Sequence, residues 1–130
     1  MTPYTENKRG SEWSKWDLHV HTPASIYQRY GNNDEDTWED FMKDIESLDK
    51  DFTVLGINDY LFLDGYERLK HEKEKNNRLK NIKCLLPVVE FRIEMFAGID
   101  FGQLKRINVH VIFSEEVPIE TIKSQFLKYS

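Results

Sequence analysis

The chain has one cysteine, Cys84. No internal disulfide can form, which fits a reducing cytoplasm, and Cys84 sits in an apolar stretch where it reads as core and not as a nucleophile. No apolar run approaches the roughly 20 residues that a membrane-spanning helix needs. The opening Met1-Thr2-Pro3-Tyr4-Thr5-Glu6 lacks the basic-then-apolar order of a secretory signal, so no membrane partner is expected. Several catalytic signatures are also missing. There is no Gly-x-x-x-x-Gly-Lys loop for ATP, no Cys-x-x-Cys pair for a structural zinc and no Gly-x-Ser-x-Gly elbow. No internal repeat or low-complexity tract interrupts the chain.

What is present fits one globular domain: 130 residues, 39% hydrophobic and 32% charged. The net charge of −5 does not by itself favour nucleic acid. The charge is uneven, however. Residues 34 to 51 hold nine acids against Lys43 and Lys50, and residues 67 to 80 hold six bases against Glu67, Glu72 and Glu74. Two solvated helix faces explain this pattern, and His71 among Lys70, Glu72 and Lys73 belongs to one of them. A phosphate-rich partner for the basic helix is the alternative.

Residues 1–14 form a polar lead-in, with Trp13 and Trp16 placed to pack over one end of the domain. Lys15 to Val20 reads as a strand. Thr37 is placed to cap a helix with Trp38, Phe41, Met42, Ile45 and Leu48 on one stripe. Phe52 to Ile57 is an unbroken apolar strand of the kind that parallel sheets bury on both faces. A second helix is expected from about Asp64 to Lys80, with Tyr66, Leu69 and Leu79 as its apolar contacts. Ile82 to Val89 is a third strand ending at Glu90. Gly98 and Gly102 suggest a hairpin or an excursion before a fourth strand, Ile107 to Phe113. Pro118 opens a last helix with Ile119, Ile122 and Phe126 on one face. This order predicts an α/β fold with mainly parallel strands and flanking helices.

Residues of metal-binding type fall on four successive strands. His19 and His21 end the first, Asp59 follows the second, Glu90 ends the third and His110 lies in the fourth. The carboxyl ends of parallel strands form the ligand face of such folds. His19 and His21 are two apart on a strand and share a face. Two imidazoles there suit zinc, manganese or iron, and a carboxylate such as Glu90 can bridge two ions that clamp a phosphate ester. Against this, a bare His-x-His is often a packed or surface pair, and His110 among apolar neighbours could be a core histidine. Asp17 reads as an acceptor for backbone N–H groups beside the histidines. Arg29 and Arg92 are both able to meet a phosphate, and the sequence does not choose between them.

The segment Trp16-Asp17-Leu18-His19-Val20-His21-Thr22-Pro23-Ala24-Ser25 resembles the opening motif of the PHP (polymerase and histidinol phosphatase) domains. Ile57-Asn58-Asp59-Tyr60 resembles their second motif, Leu86-Pro87-Val88-Val89-Glu90 the third and Asn108-Val109-His110-Val111-Ile112 a fourth, all in the family's order. The longer opening from Arg9 to His19 resembles the PHP segment that begins TrlF-type ATPases. The resemblance implies a partial distorted (β/α)7 barrel over residues 15–130 that continues beyond Ser130, with a carboxyl-terminal ATPase region of the same protein as partner. It implies His19, His21, Glu90 and His110 as metal ligands holding two divalent ions (Zn, Mn or Fe). Asp59 would orient a ligand in the catalytic site or bind near a third position. Tyr60 and Tyr27 stand where family members place histidines, and the late family ligands find no match before Ser130.

The expected function is metal-dependent hydrolysis of a phosphate-containing substrate, with a nucleotide or nucleic acid among the candidates. The alternative is a degenerate, non-catalytic module that binds metal or phosphate and docks onto a partner. A half-barrel would also leave a sheet edge open near Ile107 to Phe113, which predicts self-association.

Overall fold

The computed structural model describes residues 13–100 and 103–129. The lead-in before residue 13 therefore lies outside the described residues. The chain runs β1 (Lys15–Val20), α1 (Glu35–Glu46), β2 (Phe52–Ile57), α2 (Asp64–Lys75), β3 (Cys84–Asp100) and β4 (Gln103–Ile112). It closes with α3 (Ile119–Thr121), a π-helical turn (Ile122–Phe126) and a 3-10 turn (Leu127–Tyr129). The architecture is mixed α/β around one four-stranded sheet in the order β1-β2-β3-β4.

The first three strands are parallel, and β4 returns antiparallel along β3. The expected mainly parallel sheet therefore ends in a long hairpin, with Glu90 directly opposite His110. β4 lies at the end of the strand order, and Ile107 and Ile112 are exposed on it. Gly56 lets β2 pass close to β1. A methyl group there would stand 2.8 Å from the Leu18 Cα.

α1 begins one turn earlier than expected. Asp34, not Thr37, is the cap, and its carboxylate accepts from the Thr37 N–H at 2.9 Å. Glu35 and Asp36 then sit in the first turn, where the helix dipole favours acids. Trp38, Phe41, Met42 and Ile45 are buried as the spacing predicts, while Leu48 lies past the helix end and is exposed. α2 ends at Lys75, short of Lys80. Asn77 and Leu79 adopt left-handed backbone, with φ of 57° and 54°, and the chain turns so that Leu79 enters the core. Asn relieves such a conformation with its short polar side chain, but Leu does not. Burial of the Leu79 side chain and a hydrogen bond from its N–H to Glu46 at 3.0 Å hold it there.

The acidic and basic helices pair with each other. Arg68 forks onto Glu35 at 2.6 and 3.1 Å, and Arg78 meets Glu39 and Glu46. Arg68 also lies over the Trp38 ring. Arg68 and Arg78 of the basic stretch are thus paired with acids of the molecule's own α1.

One core cluster joins α1, β2, α2 and the start of β3 through Trp38, Phe41, Leu55, Ile57, Tyr66 and Leu69. A second gathers Leu63, Val89 and Ile122, with Phe91, Phe113 and Phe126 packed against it. The last segment is broken into short turns, but its Ile119, Ile122 and Phe126 stripe still packs on the sheet as its spacing predicts. Trp13 and Trp16 do not pack over an end. They are 99% and 59% exposed, and β1 is an outer strand of the sheet. Cys84 is only partly buried, and that burial raises its thiol pKa to about 11, with Glu115 adding to the effect.

Candidate metal centre

The two histidines of β1 share a face, as a two-residue period requires. Their Nε2 atoms stand 3.2 Å apart, with the rings edge to face. Asp17 accepts the His19 N–H at 3.0 Å and so fixes the backbone between them. The His21 Nδ1 lies against the carbonyl oxygen of Asn58. A carbonyl only accepts, so Nδ1 carries the proton and Nε2 keeps its lone pair toward His19. This is the usual way a protein sets the tautomer of a ligating imidazole.

Glu90 and His110 come from the hairpin. Glu90 Oε2 is 3.4 Å from His110 Nε2 and 3.8 Å from His19 Nε2. The ligand atoms of His19, Glu90 and His110 all lie within 4.8 Å of one another, so the three could hold a metal ion. His21 adjoins this group through His19. The Glu90 side chain is only 9% exposed. Burial works to raise its pKa, but the Asn58 amide and the His110 and His19 rings outweigh burial and hold it below the ordinary glutamate value. The His110 side chain is 31% exposed and faces Glu90, so it is not a core histidine.

Two asparagines grip the carboxylate. Asn58 Nδ2 donates to Glu90 Oε2 at 2.8 Å, and Asn108 Nδ2 donates to Oε1 at 3.1 Å. Asn58 is fully buried and also accepts the Tyr60 N–H through Oδ1 at 3.2 Å. It thus serves His21, Glu90 and Tyr60 through three different atoms. The sequence reading passed over both asparagines, although each lies in a segment that it singled out. Their signal was position, one just past β2 and one two residues before His110.

Asp59 is set apart from this group. It is buried, and its two oxygens accept from the Thr22 N–H at 2.8 Å and the Thr22 Oγ1 at 2.6 Å. Burial raises its pKa, against the pull of the Thr22 hydrogen bonds. Gly65 at the start of α2 makes room for this clamp, since a methyl group there would fall 2.1 Å from Asp59 Oδ2. Asp59 therefore ties the turn after β1 to the end of β2.

A cleft of about 820 Å³ opens beside the histidines, lined by His19, His21, Tyr27, Arg29, Tyr30 and Tyr60 among others. Of the two arginines that the sequence left open, Arg29 lines this cleft, and Arg92 donates to Asn108 Oδ1 at 3.3 Å. His71 is exposed on α2 and outside the group. No helix among the described residues is long and apolar enough to cross a membrane. No protein-family model, curated protein or solved structure matches this chain, so its chemistry is argued from this group of side chains.

Proposed function

We propose that the chain is a metal-dependent phosphoester hydrolase of the PHP type, holding divalent ions (Zn, Mn or Fe) with His19, His21, Glu90 and His110. The observation that carries this reading is the convergence of His19, Glu90 and His110 from three separate strands, with His21 adjoining. Ligands of a tetrahedral ion held at about 2.0–2.1 Å stand roughly 3.3–3.4 Å apart. The His19–His21, Glu90–His110 and Glu90–His19 spacings of 3.2, 3.4 and 3.8 Å lie near that value, the His19, Glu90 and His110 atoms all fall within 4.8 Å of one another, and imidazoles with a carboxylate suit these metals.

A bound divalent ion supplies a Lewis acid for phosphoryl oxygens and lowers the pKa of water. The chain's own residues do the remaining work. Asn58 sets the His21 tautomer and, with Asn108, fixes both oxygens of Glu90. Glu90 is kept ionised and brings negative charge to the centre of the group. Asp59 is a positioning residue in this reading. It acts through Thr22, which follows His21, and not on the ester.

In the same reading the sheet is the first part of a distorted (β/α)7 barrel, and the ATPase region is its partner in the longer protein. A non-catalytic module is favoured instead by Tyr60, which stacks on His21 at 5.2 Å where the family pattern has a histidine.

Metal analysis of the purified chain separates the two. The enzyme reading expects tightly held zinc, manganese or iron, lost on His19→Ala while the fold persists. A well-folded protein that takes up none of the three on titration sinks it.

A further inference from the structure

The cleft beside the metal group is far larger than a phosphate needs, and three tyrosines, Tyr27, Tyr30 and Tyr60, line it beside the histidines. The Tyr60 ring stacks on His21 at 5.2 Å and 17°. The Tyr27 ring meets Tyr60 edge-on at 5.8 Å and is 72% exposed. Aromatic surface thus runs without a break from a metal-binding imidazole into the cleft. Tyr30 adds a further ring, and Arg29 a cation, to the same lining.

The backbone holds this wall in place. Tyr60 is a non-glycine residue at φ 62°, a conformation that persists only where its surroundings fix it. Its N–H donates to Asn58 Oδ1 at 3.2 Å, and its carbonyl accepts the Glu90 N–H at 2.9 Å. The residues that orient the metal group therefore also aim the Tyr60 ring. Gln28 ties the loop that follows Tyr27. Its amide donates to the Gly31 carbonyl, and its side-chain oxygen accepts the N–H groups of Tyr30 and Gly31. That loop carries Arg29.

We propose that this cleft takes the planar base of a mononucleotide, stacked on the exposed Tyr27 ring and bordered by Tyr60, with its phosphate directed to His19 and His21. Every nucleobase has a face that stacks on an aromatic side chain, and such stacking tolerates different bases. An alkyl or sugar phosphate would leave the rings uncovered. A free nucleotide fits better than a nucleic-acid strand, because the net charge of −5 and the acid-rich α1 oppose a polyanion. The phosphate end of this proposal rests on the metal-dependent reading above. The ring end does not.

Binding of adenosine monophosphate, ribose 5-phosphate and adenosine to the full chain, by calorimetry with and without manganese, tests it. Adenosine monophosphate is expected to bind on the order of tenfold more tightly than ribose 5-phosphate, and adenosine to bind without metal. Tyr27→Ala should bring adenosine monophosphate down to the level of ribose 5-phosphate with metal content unchanged, and Tyr27→Phe should keep the preference. Equal affinity for the two phosphates, or a preference that survives Tyr27→Ala, overturns base recognition. A short single-stranded oligonucleotide that binds more tightly than adenosine monophosphate overturns the mononucleotide assignment. A chain that takes up no metal yet binds adenosine defeats the hydrolase reading and leaves the ring site standing.

Discussion

Arg78 and Glu90 each stand at the centre of a cluster drawn from separate elements. Arg78 meets Glu39 and Glu46 of α1 through hydrogen bonds of 2.9 to 3.2 Å, and Glu46 also holds the Leu79 N–H. Its guanidinium meets two carboxylates in a geometry that is already complete. Around Glu90 the asparagine contacts are equally short, but the histidines stand off at 3.4 and 3.8 Å. Both Glu90–imidazole separations exceed the ordinary hydrogen-bond distance. The first cluster is satisfied by the protein alone. The second is ordered by the protein, and in the reading proposed above a metal ion completes it.

The largest test of that contrast is Glu90→Gln. It keeps the shape and removes the charge, and metal affinity should fall by about 100-fold or more while the metal-free melting temperature moves by about 3 °C or less. Calorimetric metal titration beside thermal melts reads both. A collapse in melting temperature would make the Glu90 cluster structural after all. Asn58→Ala comes next. Metal affinity should drop about 10- to 100-fold because His21 and Glu90 both lose their orientation, with a stability loss of about 1–3 kcal/mol for a buried polar network. If stability falls and metal affinity does not, Asn58 belongs with Arg78. Arg78→Ala should do the reverse, lowering the melting temperature by about 3–8 °C with metal affinity unchanged.

The smallest effect is in acid. Hydrogen bonds from Arg78 hold the carboxyls of Glu39 and Glu46 below their ordinary value. A carboxyl with a lowered folded-state pKa contributes stability above its unfolded value, about 4.3 for Glu, and loses it as pH falls through the folded value. Asp59 runs the other way. Burial raises its folded-state pKa, so its ionised form weakens the fold and protonation relieves it. Arg78→Ala should therefore flatten the loss of stability below about pH 4.3. Denaturant melts at several pH values give the slope.

Local patterns carried part of this organisation in the sequence. β1 and β2 begin and end where the reading placed them, because each is bounded by charged or turn-forming residues. The shared face of His19 and His21 follows from strand period alone. Tertiary choices were less legible. Lys and Glu around residue 75 have good helix propensity, so nothing local ends α2 before Asn77 turns left-handed. The hairpin that Gly98 and Gly102 suggested is present, since β4 returns antiparallel along β3, but its register of Glu90 opposite His110, decided by pairing between distant residues, was not legible. Asn58 is invisible for the same reason, since its partners are His21 and Glu90, far away in sequence.

The pairing of Glu90 with His110 carries a consequence for insertions and deletions. The two face each other in one register of the β3–β4 ladder. Strand side chains alternate faces, so a slip by one residue would send the imidazole to the opposite side of the sheet. Loss of a single residue such as Val109 from β4 would leave the composition of the site intact and disassemble it. Substitutions between Gln103 and Ile107 that keep strand length should be tolerated far better. In the metal-binding reading proposed above, metal uptake reads strand alignment directly.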